Sequence, residues 1–484
     1  MKPVSIFTLF LTLCLSTLSA QNYQSVISNR TAYFEGDNGY ISCIRIDSVK
    51  FDTDSILYPM KSIRQLDYDC FTPYGDSWIG GKVIVNDNGI NLFFNKNHDT
   101  IRIETRAKLN DEWTAFYLTD SITIKAAITK HDTLHFMGLI DSVKTIDFAA
   151  YDKNMNPVEI NKKSKWQMKI SKNYGLVQTF DMYYFTLSDE EYSYFQSVPD
   201  SYILAGLSSP KIGVQNLTWF DVYDFNIGDE LHITDVSMQL DFDYSSESIN
   251  KSIFIYFDKV STSSSITYKI SRKESKYKDY DGVKTFEYIH DTITQTIVSN
   301  ELFDNYLPGE PVFYENSAKT FSMISDNVKI DLSPYMEIYK TEDSCWANGI
   351  WDGCFPENRF YKGLGGPYYY CEYAGYSERK LVYYKKGDIE WGTPLVITAI
   401  DEKQAENKIN IYPNPTSDVI TIESNNVTEE IFFELTDLNG RQILEKELKS
   451  NSEIIKLMDL EPGIYIYTIR NSNNIYKTDK LIIE

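Results

Sequence analysis

Apolar and polar side chains alternate along most of this chain. In "TIRIETRA", Ile101 and Ile103 fall on one face, with Arg102, Glu104 and Arg106 on the other. In "SITIKAAIT", Ile122, Ile124, Ala126 and Ile128 oppose Thr123, Lys125 and Thr129. A period of two is that of a half-buried strand. "KWQMKIS", "SIFIYFDKV", "SITYKISR" and "TFEYIHDTITQTIV" extend the reading. Turn signals separate the strands: "GDNG" at 36–39, and "NDNG" at 86–89, where Asn88-Gly89 predicts a two-residue hairpin. The pentapeptide "IDSVK" occurs at 46–50 and again at 140–144, which reads as reused strand vocabulary or as duplication. One helix start stands out. Ser188 with Glu191 forms a capping-box pattern, with Tyr192 and Phe195 on one side, and predicts one or two helical turns.

The fold class is therefore mainly β, in several antiparallel domains. With 484 residues, two to four domains are expected. The pattern divides into a leader at 1–20, an N-terminal β domain at 21–150 and a β-rich domain at 151–396. A polar linker follows at 397–408, then a small domain at 409–484. That last domain packs six strand candidates into under 80 residues, with turns at Asn439-Gly440 and Pro462-Gly463. Such spacing suggests a small antiparallel sandwich.

Composition sharpens this picture. Tyrosine is used 37 times and aromatics reach 14%, as a pleated surface favours. The net charge is −22 and the pI about 4.7, which argues against nucleic acid as a partner. The first 20 residues read as a secretory signal: Lys2, the apolar run "VSIFTLFLTLCL", then small residues, with cleavage between Ala20 and Gln21. No later run approaches the roughly 20 apolar residues of a membrane helix. Five cysteines follow the leader: Cys43, Cys70, Cys345, Cys354 and Cys371. An exported chain can hold disulfides, and an odd count leaves a thiol over. Cys345 and Cys354 flank "CWANGIWDGC" and are the first expected bridge, with Cys354–Cys371 next.

Catalytic chemistry is hard to find. His131 and His135 lie on extended chain, too far apart to share a metal. "GDSWI" at 75–79 lacks the second glycine of a serine elbow. "KYKDYDGV" resembles a calcium loop but fails its spacing, and reads better as a solvated turn. No catalytic, cofactor or metal residue is assigned. The stretch 345–392 concentrates aromatics, glycines and three cysteines. It reads as a disulfide-tied hairpin, or as a platform of exposed rings for a sugar or a partner. Asp followed by Ser or Thr and an aliphatic residue recurs, at Ser48, Ser55, Thr100, Ser121, Thr133, Ser142 and Thr292. It is the order of a turn, a small polar residue and strand entry. It also resembles an O-glycosylation signal of exported Bacteroidota proteins.

Residues 409–484 resemble the C-terminal sorting domain of type IX secretion substrates of Bacteroidota. The residues that carry this are the motif Tyr412, Pro413, Asn414 and Pro415, then "LTDLNGRQI", "LEPGIYIYTI" and "KTDKLIIE". The resemblance implies an immunoglobulin-like sandwich read by the type IX secretion machinery. It also implies a route through the periplasm to the cell surface or medium, with the domain removed and the protein released or surface-linked. Segments within 160–396 resemble uncharacterised β-rich exported proteins and bring no activity. The reading is a surface protein that binds a glycan or protein ligand, or serves structurally; no catalytic motif is found, and enzymatic activity is left open. The alternative is a secreted carboxylate-dependent hydrolase acting on a polymer.

Overall fold

The computed structural model describes residues 23–67, 70–160, 166–186, 198–240, 245–332, 337–341, 345–349, 357–372, 375–397, 409–423, 431–457, 460–471 and 475–484. The leader, the Ser188 capping box, Cys354 and most of the 397–408 segment lie outside them. The chain divides into two compact units, Met1–Ile397 and Thr398–Glu484.

In the first unit, alternation has the expected consequence. Ile101 and Ile103 are fully buried on a five-stranded sheet, and Ile124, Ala126 and Ile128 are buried on a ten-stranded one. The two sheets share a core that also takes Phe34, Phe93, Met168 and Leu204. A third, fifteen-stranded sheet supplies Leu231, Tyr256, Tyr268 and Phe321 to a second core, joined by Tyr33, Ile41 and Cys43 from the ten-stranded sheet.

The boundary expected at residue 150 falls inside a strand, Leu139–Asp152. The N-terminal strand Ala32–Gly36 pairs with Tyr202–Ser208, so one sheet draws on both sides of that boundary. Local composition could not show this, because the pairing joins strands far apart in sequence. Two short helices also appear. Trp219–Val222 is capped by Thr218 with Asp221, a capping box, and Glu301–Asn305 is capped by Asn300.

One turn device recurs four times. Asn86, Asn95, Asp152 and Asp437 each open a hairpin and accept, through one side-chain oxygen, the N–H groups two and four residues on. The residue three positions on is left-handed each time: Gly89 (φ 81°), His98 (64°), Met155 (66°) and Gly440 (79°). In the 86–89 turn the left-handed position is Gly89 alone, so the expected Asn88-Gly89 two-residue turn is replaced by this longer one. A true two-residue turn occurs at Asp281-Gly282, both at positive φ, which settles "KYKDYDGV" as a hairpin tip. Met155 is half exposed and gains little from packing. A side chain pays roughly 1–2 kcal/mol in this conformation, offset by about 0.5–1 kcal/mol of glycine entropy. Met155→Gly is therefore expected to stabilise the first unit by roughly 0.5–1 kcal/mol, measured by denaturant unfolding.

The second unit is a sandwich. A three-stranded sheet contributes Ile420, Ile422 and Ile455; a four-stranded sheet contributes Phe433, Leu435, Tyr467, Ile469 and Leu481. Together they close one core.

Candidate functional site

The first unit contains a cavity of about 460 Å³ lined by strands of its ten-stranded and fifteen-stranded sheets. Its walls include Ile41, Ser42 and Cys43 from one strand, Ser62, Ile63 and Arg64 from another, and Thr320, Phe321 and Ser322 from a third. Trp78, Asp181, Tyr184 and Tyr202 complete the floor.

Each floor residue is held by its neighbours. Trp78 donates its indole N–H to the Cys43 carbonyl at 3.0 Å and stacks on Tyr202 with ring centroids 4.3 Å apart. Asp181 lies inside a buried aromatic run, and its Oδ1 accepts the Tyr184 N–H at 2.9 Å. The Tyr202 hydroxyl donates to Asp181 Oδ2 at 3.5 Å. Arg64 is buried. Its Nε donates to the Asp76 carbonyl at 2.7 Å, and its guanidinium lies 4.2 Å above the Tyr183 ring. Gly75 makes room for it, since a Cβ there would lie 2.3 Å from Arg64 Cγ. The Ser322 hydroxyl is buried on the pocket wall without a hydrogen-bond partner among the described residues.

Burial pushes the Asp181 carboxyl up to about 6, although Arg64, the Tyr183 and Tyr184 N–H groups and the Tyr202 hydroxyl all pull it down. Burial, then Asp181 itself, pushes the Tyr202 hydroxyl well above its ordinary value. The Cys43 thiol is driven far up by burial, so it is no thiolate nucleophile. For Asp181 the folded-state value lies above the unfolded one. Stability from this group is thus full below pH 4 and lost as pH rises through 6. Asp181→Asn should remove that loss. Its stability at pH 7 should exceed wild type by up to about 3 kcal/mol, with no difference at pH 3.5, as measured by unfolding at the two pH values.

The structure scatters the other sequence candidates. Cys345 is bonded to Cys70, 275 residues away and 5.5 Å between Cα atoms, and not to Cys354 as expected. Strand Trp346–Asn348 pairs with Cys70–Gly75 and brings the two sulfurs together, a contact that local spacing cannot reveal. Cys371 is also disulfide-bonded, and among the described residues Cys43 is a free, buried thiol. In the aromatic stretch, Phe360, Tyr368 and Tyr383 are buried, while Tyr370 and Trp391 are more than half exposed. Of the Asp-Ser/Thr sites, Ser48, Thr100, Ser121, Thr133 and Thr292 are exposed. The Ser142 hydroxyl instead bonds to Tyr23 and His131. Arg64, Asp181 and Tyr202 were not singled out in the sequence. The available signal was an acid inside the aromatic run "TFDMYYF". Among the described residues, no group of His, Cys, Asp or Glu is placed to hold a metal, and no helix is long and apolar enough to cross a membrane.

In the second unit, Tyr412 ends a strand, Asn410–Tyr412, that pairs with Val419–Glu423. Asn414 then reaches across to the last strand, Ile475–Ile483. Its Nδ2 donates to the Lys480 carbonyl at 2.8 Å, and its Oδ1 accepts the Ile482 N–H at 2.9 Å. Thr416 carries on in the main chain, donating to Ile482 O at 2.9 Å and accepting from Glu484 N at 2.8 Å.

This unit defines the class of protein. Residues 410–484 match the family described as a secretion system C-terminal sorting domain. The match supports a type IX secretion substrate and indicates export through the periplasm to the outer cell surface or the medium. A curated relative, ulvan lyase NLR42 of Nonlabens ulvanivorans, is 31% identical over 96 residues, 19% of this chain and 17% of that one. The chain thus spans about a sixth of that relative's length. Among solved structures, PorZ, a surface component of the type IX secretion system of Porphyromonas gingivalis, is 9% identical. The alignment covers 96% of this chain and 81% of that one, with a TM-score of 0.14, too low to support a shared fold.

Proposed function

We propose that this exported protein is a surface binding protein and that its pocket takes one sugar unit of a glycan. The observation that carries this reading is the convergence of Arg64, Asp181 and Tyr202 in a cavity of about 460 Å³ with aromatic walls. That volume is within the range of small-ligand sites, which combine apolar walls with a few placed polar groups. Keeping a carboxylate and a guanidinium this deep is costly, and perturbed groups of this kind cluster at functional sites. The Ser322 hydroxyl offers one more unused hydrogen bond to a ligand. Glycan-array binding by residues 21–397 tests the reading. Binding should be present in wild type and weakened at least roughly tenfold in Arg64→Ala. An array with no bound glycan would count against it.

A second reading rests on Asp181. A carboxyl held near 6 can donate a proton near neutral pH, as a hydrolase acid does. Glu357 lines the same pocket but is ion-paired with Arg359 at 3.2 Å. Polymer cleavage that is lost in both Asp181→Asn and Glu357→Gln would favour this reading over binding alone. The stretch shared with ulvan lyase is too short a part of that enzyme to bring a lyase reaction with it.

The same reading takes residues 1–20 as an export leader removed between Ala20 and Gln21, residues 397–408 as a linker, and a bacterium of the Bacteroidota as the source. Amino-terminal sequencing of secreted protein checks the first point. The exposed Ser and Thr of the Asp-Ser/Thr sites are proposed glycan carriers. An intact mass equal to the unmodified chain would sink that.

A further inference from the structure

We propose that Asn414 is the positioning residue of the sorting domain: its carboxamide takes the place of a neighbouring strand and holds the last strand of the chain. Strand Ile475–Ile483 lies at the edge of the four-stranded sheet, paired on one side with Gly463–Arg470. Its other side presents main-chain groups that need partners. Asn414 supplies two of them. Its donor meets Lys480 O at 2.8 Å and its acceptor meets Ile482 N at 2.9 Å, as a peptide group on an adjacent strand would. The assignment of its two ends follows, since Lys480 offers only an acceptor and Ile482 only a donor.

The flanking prolines explain why a side chain does this work. Pro415 has no N–H to offer a sheet, and neither has Pro413. Main-chain pairing therefore stops at Tyr412 and resumes at Thr416, whose N–H and C=O meet Ile482 and Glu484. Asn414 fills the interval. It also links the two sheets of the sandwich, because Tyr412 belongs to the three-stranded sheet and Lys480 to the four-stranded one. No other side chain substitutes fully. Aspartate keeps the acceptor and loses the donor, alanine loses both, and glutamine adds a methylene that displaces the amide. The Tyr-Pro-Asn-Pro motif then acts inside the folded domain, by fixing the last strand, and not as a free peptide.

The test uses the full-length chain in its native host. Asn414→Ala, Asn414→Asp and Asn414→Gln are compared with Ile455→Val, a core change remote from the clasp. Hydrogen exchange is followed in the peptide 475–484, and export is scored as protein on the cell surface. Asn414→Ala should speed exchange of the Ile482 and Glu484 amides roughly tenfold, with Asn414→Asp between it and wild type. Export should fall in the same order. Ile455→Val, matched for loss of domain stability, should export normally. Equal export by Asn414→Ala and the matched Ile455→Val would overturn the proposal, as would unchanged exchange in residues 480–484.

Discussion

Replacing Cys70 and Cys345 together by serine should cost the first unit roughly 5 kcal/mol, the largest single loss expected in this protein. The bridge closes a loop of 275 residues. Loop-closure entropy grows with the logarithm of length, so a loop this long lies near the top of the usual range. What the bridge holds is small: Ile63, Phe71, Ala318 and Ile338, with Trp346 packed beside them. A cluster that size cannot hold the Cys70–Gly75 strand and the Trp346–Asn348 strand together unaided. Loss of the bridge should first free these two strands and then the adjoining pocket wall at Ile63 and Arg64. Denaturant unfolding of the double variant against wild type measures the effect. A loss under about 1 kcal/mol would show that the unfolded chain is already constrained there, or that packing and not the bond decides.

A second large effect attaches to Lys329. Its side chain is completely buried, and its Nζ donates to the carbonyls of Phe303 and Tyr306 at the end of the short helix Glu301–Asn305. The ammonium lies 4.3 Å above the Phe303 ring and 4.7 Å from that of Phe321. Burial pulls it down to about 7, against the opposing influence of Asp304, Cys43, Glu310 and Asp331. The unfolded chain keeps its proton up to about pH 10.4. Below pH 7 both states are charged and the burial cost stands in full. Above 7 the folded state sheds the proton first, so stability rises with pH, by up to about 1.4 kcal/mol per unit. Between pH 7 and 9 wild type should gain roughly 2–3 kcal/mol relative to Lys329→Met, which lacks the titrating group. Unfolding free energies of both proteins at pH 6, 7, 8 and 9 check this. Parallel curves would mean that Lys329 keeps an ordinary ammonium in the fold. Lys329→Met leaves two helix-end carbonyls without their donor, so the slope with pH, and not the absolute stability, is the readout.

Strand identity was largely legible in the sequence. The face carrying Ile101 and Ile103 and the face carrying Ile124, Ala126 and Ile128 are buried as alternation requires. Period two is a local property, and burial follows it directly. Pairing is not local. Nothing near Ala32 announces Tyr202–Ser208 as its neighbour, and so a domain boundary was placed in the middle of a shared sheet. The cysteines misled for the same reason. Turns were legible where glycine marked the left-handed position, as at Gly89 and Gly440. They were missed at His98 and Met155, where another residue holds it. The pocket is the hardest case. Arg64, Asp181 and Tyr202 come from three separated segments, and no spacing rule connects them. The sorting motif was found by resemblance, but the reach of Asn414 to Lys480 and Ile482 needs the fold.

The pairing of Ala32–Gly36 also bears on the order in which the protein can be built. That strand sits between Ile41–Ile44 and Tyr202–Ser208. A chain delivered from its amino end can form the first hairpin at once, but must wait for residue 208 to close the other side. Cys70 waits longer still, for residue 345. Contacts this distant make folding slow and expose unpaired edges in the interval. Most of the first unit has to be across the inner membrane before its earliest segment can settle. A protein that must cross a second membrane afterwards therefore spends its most aggregation-prone period in the periplasm, where holding factors would have the most to protect.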